Sequence, residues 1–367
     1  MKYRLFIILL LGLFIQSISL AQSKGKTENI VLILIDGLRW QEIFRGAEFD
    51  LLTNPKYNSV DSLERMKKYW AENTDDRRKK LMPFIWSQIA ANGQLYGNRD
   101  LGNKVDVANP YWFSYPGRAE LLSGYVDEKI NSNGYKNNTN MNVLEFIHSQ
   151  KAYNNKVCAF ACWTPVGKCL NKDNSKMMIN IPWENITGDH LTEAEILANE
   201  IQHLAPKILG YGERLDFEVY ALAKAYIQAH HPKVTYLDMG DTDEYAHSGH
   251  YDSYLEDIHQ FDQILKHLWD MMQGDAFYKG NTTFVIVTDH GRGVGAEWTS
   301  HNSDIARSQE TWLMVMGPDS PALGEVKTEG QIYQTQYAAT IAHLLGLHYT
   351  VDGQTVGEKI QSVSKFK

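Results

Sequence analysis

The sequence predicts an α/β fold in which a largely parallel sheet is sandwiched between helices, and three observations predict it. Asn29–Ile35 is a continuous apolar, β-branched run that closes on Asp36-Gly37, the pattern of a strand buried on both faces. Thr282–Thr288 repeats that pattern and closes on Asp289-His290-Gly291. Between them, Tyr251–Met272 carries apolar residues at helical spacing, so strands and helices alternate, as in sheets built from crossover units.

In chain order, Met1-Lys2-Tyr3-Arg4 followed by the apolar run Leu5–Leu13 and by Ile18-Ser19-Leu20-Ala21 has the form of a secretory signal peptide over residues 1–21, cleaved after Ala21. An uncleaved anchor is the competing reading, and the run is near the short end for a span. Residues 22–367 then form one catalytic domain, with no internal repeat and no other stretch apolar enough to cross a bilayer. Residues 48–80 are polar and charged and read as a surface insertion. Leu81–Ala91 is helical in period and stops at Asn92-Gly93. Lys156–Ala161 and Lys233–Asp238 are further strands.

Composition narrows the functions. With 36 basic and 44 acidic residues the chain has a formal charge of −8, and loss of Lys2 and Arg4 makes it more negative. Such a surface argues against nucleic-acid binding and leaves a small molecule as the expected partner. Cys158, Cys162 and Cys169 are odd in number, so at most one intrachain disulfide forms among them. The sequence does not specify the oligomeric state.

Polar residues gather where the predicted strands end. Asp36, Asp243 with His247, and Asp289-His290 each follow a strand, and open α/β sheets bind ligands at the carboxyl ends of their strands. Carboxylates and imidazoles at one edge are ligands that zinc accepts. Taken singly each fragment has a bland explanation: Asp36-Gly37 a turn, Asp289-His290 a cap, His301 a surface histidine. A fourth fragment, Ser114-Tyr115-Pro116-Gly117-Arg118, sets a serine before a Pro-Gly turn and an apparent helix.

In this order the fragments resemble the alkaline phosphatase superfamily, specifically its phosphodiesterase and nucleotide pyrophosphatase-like members, over about residues 28–350. The resemblance implies an alkaline-phosphatase-like core and two Zn²⁺ ions. One would be held by Asp36, Ser114, Asp289 and His290, the other by Asp243, His247 and His301. It implies Ser114 as nucleophile, activated by a divalent cation and placed at a helix amino end that favours an anion. Gly117 would let the turn approach a phosphoryl group.

The resemblance leaves alternatives. Arg118 is placed with Ser114 as a catalytic residue, and would either orient phosphate oxygens or pin the loop to a carboxylate. Asn137 and Asn138 are candidates for binding a nonbridging oxygen. His250 is either a contact near the metals or a solvent-facing residue, and Tyr111, Trp112, Phe113 and Tyr115 either stack on an aryl group or form wall and core. Ser114-Tyr115-Pro116-Gly117-Arg118 is also similar to the sulfatase signature, in which the first residue becomes formylglycine beside one calcium. Asp36 followed by Gly37 and Asp289 followed by His290 depart from that pattern, which favours phosphorus over sulfur. Metal-dependent phosphoglycerate mutases share the core, but the leader counts against that activity. A degenerate binding protein on the same fold is the non-enzymatic alternative. The expectation is an exported, metal-dependent phosphodiesterase or phosphatase acting through a phosphoserine, with sulfatase as the alternative.

Overall fold

The computed structural model describes residues 25–366, so the signal peptide expected over residues 1–21 lies outside the described residues. Eleven strands occur among these residues: β1 (Asn29–Ile35), β2 (Gln94–Tyr96), β3 (Asn103–Asp106), β4 (Val157–Ala161), β5 (Met178–Asn180), β6 (Val234–Met239), β7 (Thr282–Val287), β8 (Glu310–Thr311), β9 (Leu313–Met316), β10 (Gly324–Glu325) and β11 (Gly330–Tyr333). Eight of them form one sheet in the order β10-β2-β9-β7-β1-β6-β4-β5, and β11-β3-β8 form a small second sheet. From β7 to β5 every pairing is parallel. On the other side β9 alone runs antiparallel, between β7 and β2, and β10 pairs parallel with β2 at the edge.

β1 lies at the centre because it is apolar on both faces. Val31, Ile33 and Ile35 enter the core on one side, and Ile30, Leu32 and Leu34 enter the core on the other. Burying each such side chain contributes about 1.5–3 kcal/mol. A slip of one residue would exchange the two sets between differently shaped cores, so the register with β6 and β7 is firmly specified.

The large predicted elements are present within a residue or two. Tyr251–Gly274 is a helix whose Tyr254, Ile258, Phe261 and Leu265 pack on the sheet. Leu81–Ala91 departs from the expectation of one helix. A helix Thr74–Leu81 ends before Pro83, and Ile85–Ile89 forms a wider π-helical turn that leads into Ala90–Asn92. Pro83 has no N–H to continue a helix, and the buried Asp262 carboxylate accepts from Phe84 N and Ile85 N at 2.8 Å each, starting a new turn. Residues 48–80 carry short helices at Phe49–Leu52 and Ser62–Tyr69 and the start of Thr74–Leu81. Val60 and Leu63 are exposed there, whereas Leu52, Tyr57 and Tyr69 join the core. Cys158, Cys162 and Cys169 are buried and all three are free thiols.

The double cap by Asp262 makes a test of the break. Asp262→Ala leaves two buried N–H groups without acceptors and is expected to lower unfolding stability by about 1–3 kcal/mol in urea titration. A loss within error of zero would show that solvent or another group takes over the cap.

Candidate active site

β7, β1 and β6 lie side by side, so the residues beyond their carboxyl ends reach one edge: Asp289-His290, Asp36, and the helix Asp241–His247. Close backbone approach makes this possible. Gly37 has a φ of +58°, and a Cβ on it would stand 2.5 Å from Asp243 Oδ1. On Gly117 a Cβ would stand 2.4 Å from the Asp289 carbonyl oxygen. Gly117 therefore serves to pack its helix onto the end of β7, in place of the expected approach to a phosphoryl group.

Ser114 is the first residue of the helix Ser114–Ser123 and is buried. Its Oγ lies 3.3 Å from His290 Nε2. His290 Nδ1 lies 2.9 Å from the Gly291 carbonyl oxygen, which can only accept, so Nδ1 carries a proton and Nε2 faces the site. Nε2 stands 3.0 Å from Asp36 Oδ1, 3.7 Å from Asp289 Oδ2 and 4.0 Å from Asp243 Oδ1. A ring nitrogen among three carboxylates draws positive charge to this point, supplied either by a proton or by a bound cation. Burial works against charging His290, yet Asp289, Asp36 and Asp243 raise its pKa to about 9.

The remaining imidazoles close the other side. His247 Nε2 is 3.1 Å from Asp243 Oδ2 and 3.0 Å from His301 Nε2. His301 stacks on His290 at 4.0 Å between ring centres. Burial, and then the neighbouring His290, push its pKa down to about 2, so the ring is neutral with a lone pair to offer. Burial pushes the Asp36 carboxyl up, but Arg118 and His290 hold it below the usual range. Burial and the Asp36 charge push Asp289 up to about 7.

These residues suit a metal. Asp36, Asp289 and His290 offer ligand atoms within 4.8 Å of one another, and so do Asp243, His290 and His301. His301 Nδ1 is buried without a hydrogen-bond partner, and Asp36 Oδ1 is buried with only the His290 ring nitrogen beside it. Mixed carboxylate and imidazole donors fit a divalent transition metal. Asp36, Ser114, Asp243, His247, Asp289, His290 and His301 are thus brought together, with two differences from expectation. His247 falls in neither group of mutually close ligand atoms, although its Nε2 lies 3.1 Å from Asp243 Oδ2. His290 belongs to both groups and not to that of Asp36 alone.

Arg118 is corrected from a catalytic residue to a positioning one. Its guanidinium is fully buried and spent on carboxylates: Nε and Nη2 on Asp238 at 2.8 and 3.0 Å, Nη2 on Asp36 at 2.9 Å, and Nη1 on Asp289. Of its two expected roles, pinning carboxylates is the one present. Sequence reasoning missed Asp238, the acceptor of that clamp, and Arg292, which pairs with Asp243 and donates to the Trp298 carbonyl at 2.9 Å. The signal for Arg292 was its place directly after Asp289-His290-Gly291.

Asn137 and Asn138 are also corrected. Asn137 is half-buried and donates to Asp173, and Asn138 is buried with its Oδ1 accepting from Asn140 N at 3.0 Å. The asparagine at the site is Asn133, whose Oδ1 accepts from Tyr115 N at 2.9 Å and so turns its amide N–H groups away from that bond. Asn133 lines a cavity of about 120 Å³ with Asp36, Ser114, Trp163, Glu213 and His301. It also lines an adjoining, wider cavity of about 620 Å³ with Phe113, His247, Ser300 and Asp304. Phe113 is cavity wall, while Tyr115 is core with its hydroxyl on the Lys136 carbonyl at 2.9 Å. His250 is half exposed and faces solvent. The larger cavity, about 870 Å³ and lined by residues from Ala339 to Gln361, contains none of these groups.

Residues 211–305 match the family model of the Metalloenzyme superfamily. Among solved structures, the chain is similar to the alkaline phosphatase PafA, with a TM-score of 0.58 and 10% identity over 93% of this chain and 99% of that one. It is similar to a 2-O GAG sulfatase, with a TM-score of 0.54 and 12% identity over 89% of this chain and 72% of that one. It is also similar to the lipoteichoic acid synthase LtaP from Listeria monocytogenes, with a TM-score of 0.51 and 10% identity over 91% and 75% of the two chains. No protein of curated function matches the sequence.

Arg118 supplies the test of this geometry. Arg118→Ala leaves Asp36, Asp238 and Asp289 buried without their shared counterion, and a loss of about 3–5 kcal/mol in unfolding stability is expected in chemical denaturation. A stable Arg118→Ala protein with unchanged affinity for metal would show that the clamp positions nothing.

Proposed function

We propose that this chain, whose fold and Metalloenzyme-superfamily segment agree with the alkaline phosphatase superfamily, is an exported metal-dependent hydrolase of phosphoric esters that favours diesters and acts through Ser114. The observation that carries the reading is the placement of Ser114 Oγ, at the start of a helix and 3.3 Å from His290 Nε2, within a ring of carboxylates and imidazoles. When bound, two divalent cations, zinc by the donor set, held by Asp36, Asp289, His290 and Ser114 and by Asp243, His247 and His301, supply Lewis acidity that favours the serine alkoxide and offsets phosphoryl charge.

The chain's own residues do the rest. Ser114 sits where the amino end of its helix favours an anion. Its Oγ attacks phosphorus in line, the Oγ–P bond forms, and the bond to the departing alcohol oxygen breaks. Asn133, with its carbonyl oxygen engaged by Tyr115 N, is oriented to donate from its amide to a nonbridging oxygen. Water then attacks phosphorus, the Oγ–P bond breaks, and Ser114 is restored. No arginine or lysine among the described residues lines either cavity at the site, whereas the 620 Å³ cavity leaves room for a second ester arm. Both facts support a diester over a monoester. Export rests on the leader over residues 1–21, and among the described residues no helix is long and apolar enough to cross a membrane.

The sulfatase reading is favoured by one observation, the Ser114-x-Pro116-x-Arg118 signature with its arginine locked onto carboxylates. His247 and His301 have no task in a site of one calcium, which weighs against it.

Ser114→Ala is expected to reduce turnover of bis(4-nitrophenyl) phosphate on the order of 10⁴-fold or more with the fold intact. Mass spectrometry of the wild-type peptide should show unmodified serine; formylglycine with sulfate ester turnover would replace this reading by the sulfatase one. His247→Ala and His301→Ala, alone and combined, should show similar losses of activity and of metal, because both residues serve one ion. Losses that multiply while the metal content stays full would separate His301 from His247.

A further inference from the structure

Beneath the helix that carries Asp243 and His247 lies a second group of buried carboxylates. Asp216 and Asp241 begin the helices Asp216–His230 and Asp241–His247, and Asp257 lies in the second turn of Tyr251–Gly274. Their relative exposures are 1%, 2% and 5%. Each offers a carboxylate oxygen within 4.8 Å of the other two. Asp216 and Asp241 join the starts of two helices: Asp216 Oδ1 accepts from Gly240 N at 2.7 Å, Asp216 Oδ2 from Asp241 N at 3.4 Å, and Asp241 Oδ2 from Asp216 N at 3.2 Å, while Asp257 Oδ1 accepts within its own helix from Gln260 Nε2 at 3.3 Å. Asp241 Oδ1 and Asp257 Oδ2 are buried with no partner at all.

This differs from the active site, where Arg118 and Arg292 lie against the carboxylates. Three desolvated carboxylates at such spacing repel one another, so a fold that keeps all three must either hold protons on them or supply a cation, and two bare buried oxygens facing the group favour the cation. We propose that Asp216, Asp241 and Asp257 bind a hard divalent cation of the calcium class, at a site separate from the histidine-containing centre. The donors are oxygen only, which selects a hard cation over zinc. Calcium–oxygen distances of about 2.3–2.6 Å place opposite ligands up to about 5 Å apart, which accommodates these carboxylates, whereas magnesium draws its ligands to about 2.1 Å in a regular octahedron. A cavity of about 440 Å³, lined by Asp241, Asp257, Tyr245, Glu256, Gln260 and Lys68, opens onto two of the three carboxylates and gives the cation a path.

The bound cation ties three helices together at the base of the one that presents Asp243 and His247. It stabilises those ligands without touching substrate, whatever ester the enzyme cleaves. The test uses the full mature chain loaded with zinc, so that the histidine-containing centre is filled. Equilibrium dialysis against radioactive calcium should find one calcium per chain, and terbium should bind there with luminescence sensitised by Tyr245 and displaced by calcium. Asp257→Asn should abolish both signals, with Asp216→Asn as a second variant should the first not fold. Calcium should raise the melting temperature of the wild type and not of Asp257→Asn. In calcium-free buffer Asp257→Asn should melt at or above the wild type, because the amide replaces a carboxyl that, with no cation present, must either repel its neighbours or take up a proton. No calcium retained by the wild type, equal retention by a folded variant, or magnesium competing on equal terms would overturn the assignment.

Discussion

Asp36, Asp243 and Asp289 stand beyond the ends of three adjacent strands, and keeping three buried carboxylates and three imidazoles within a few ångströms constrains everything around them. Desolvated like charges repel, so the scaffold must resist their separation. It does so with the most deeply buried part of the sheet. β1 pairs in parallel with β6 and β7 along its whole length, and its alternating side chains fill a core on each face. Gly37 and Gly117 then remove the side chains that would keep the converging segments apart.

Two arginines complete the balance from opposite sides. Arg118 reaches from the nucleophile helix and joins Asp36 to Asp289 and to Asp238 at the end of β6, while Arg292 fastens Asp243 to the loop that leads to His301. Arg118 spends its donors on carboxylates, and Arg292 on Asp243, on the Trp298 and Thr299 carbonyls and on His247 Nδ1 at 3.3 Å, so neither is free to hold a phosphoryl oxygen. That task passes to groups facing the cavity, of which Asn133 is the neutral donor nearest the helix start. The same division explains why the site is acidic without being uniformly repulsive: charge is compensated at its base, and its open side is left to cations.

The central strands and the residues that follow them were legible in the sequence because burial on both faces leaves an uninterrupted apolar run, and a polar residue directly after such a run has nowhere to go but the sheet edge. Asp36 and Asp289-His290 were found in this way. His301 was found only through the resemblance, since nothing in its local sequence distinguishes it from a surface histidine. Asn133 lay in a loop without periodicity, and the neighbouring Asn137 and Asn138 offered the same side chain; only the bond to Tyr115 N separates them. The reversed strand β9 and the short strands β2 and β10 beyond it were missed because strands of two to four residues carry too little alternation. Arg118 showed its presence but not its direction, which depends on Asp238, a residue 120 positions away.

The account rests on the ring of carboxylates and imidazoles being a centre for two metals with Ser114 at its edge. A crystal of the mature protein grown with zinc, measured on both sides of the zinc absorption edge, tests this most directly. Two anomalous peaks about 3.5–4 Å apart are expected, one bounded by Asp36, Asp289, His290 and Ser114 Oγ, the other by Asp243, His247 and His301. A single peak held by carboxylates alone, or no peak with Arg118 and Arg292 still filling the site, would contradict it.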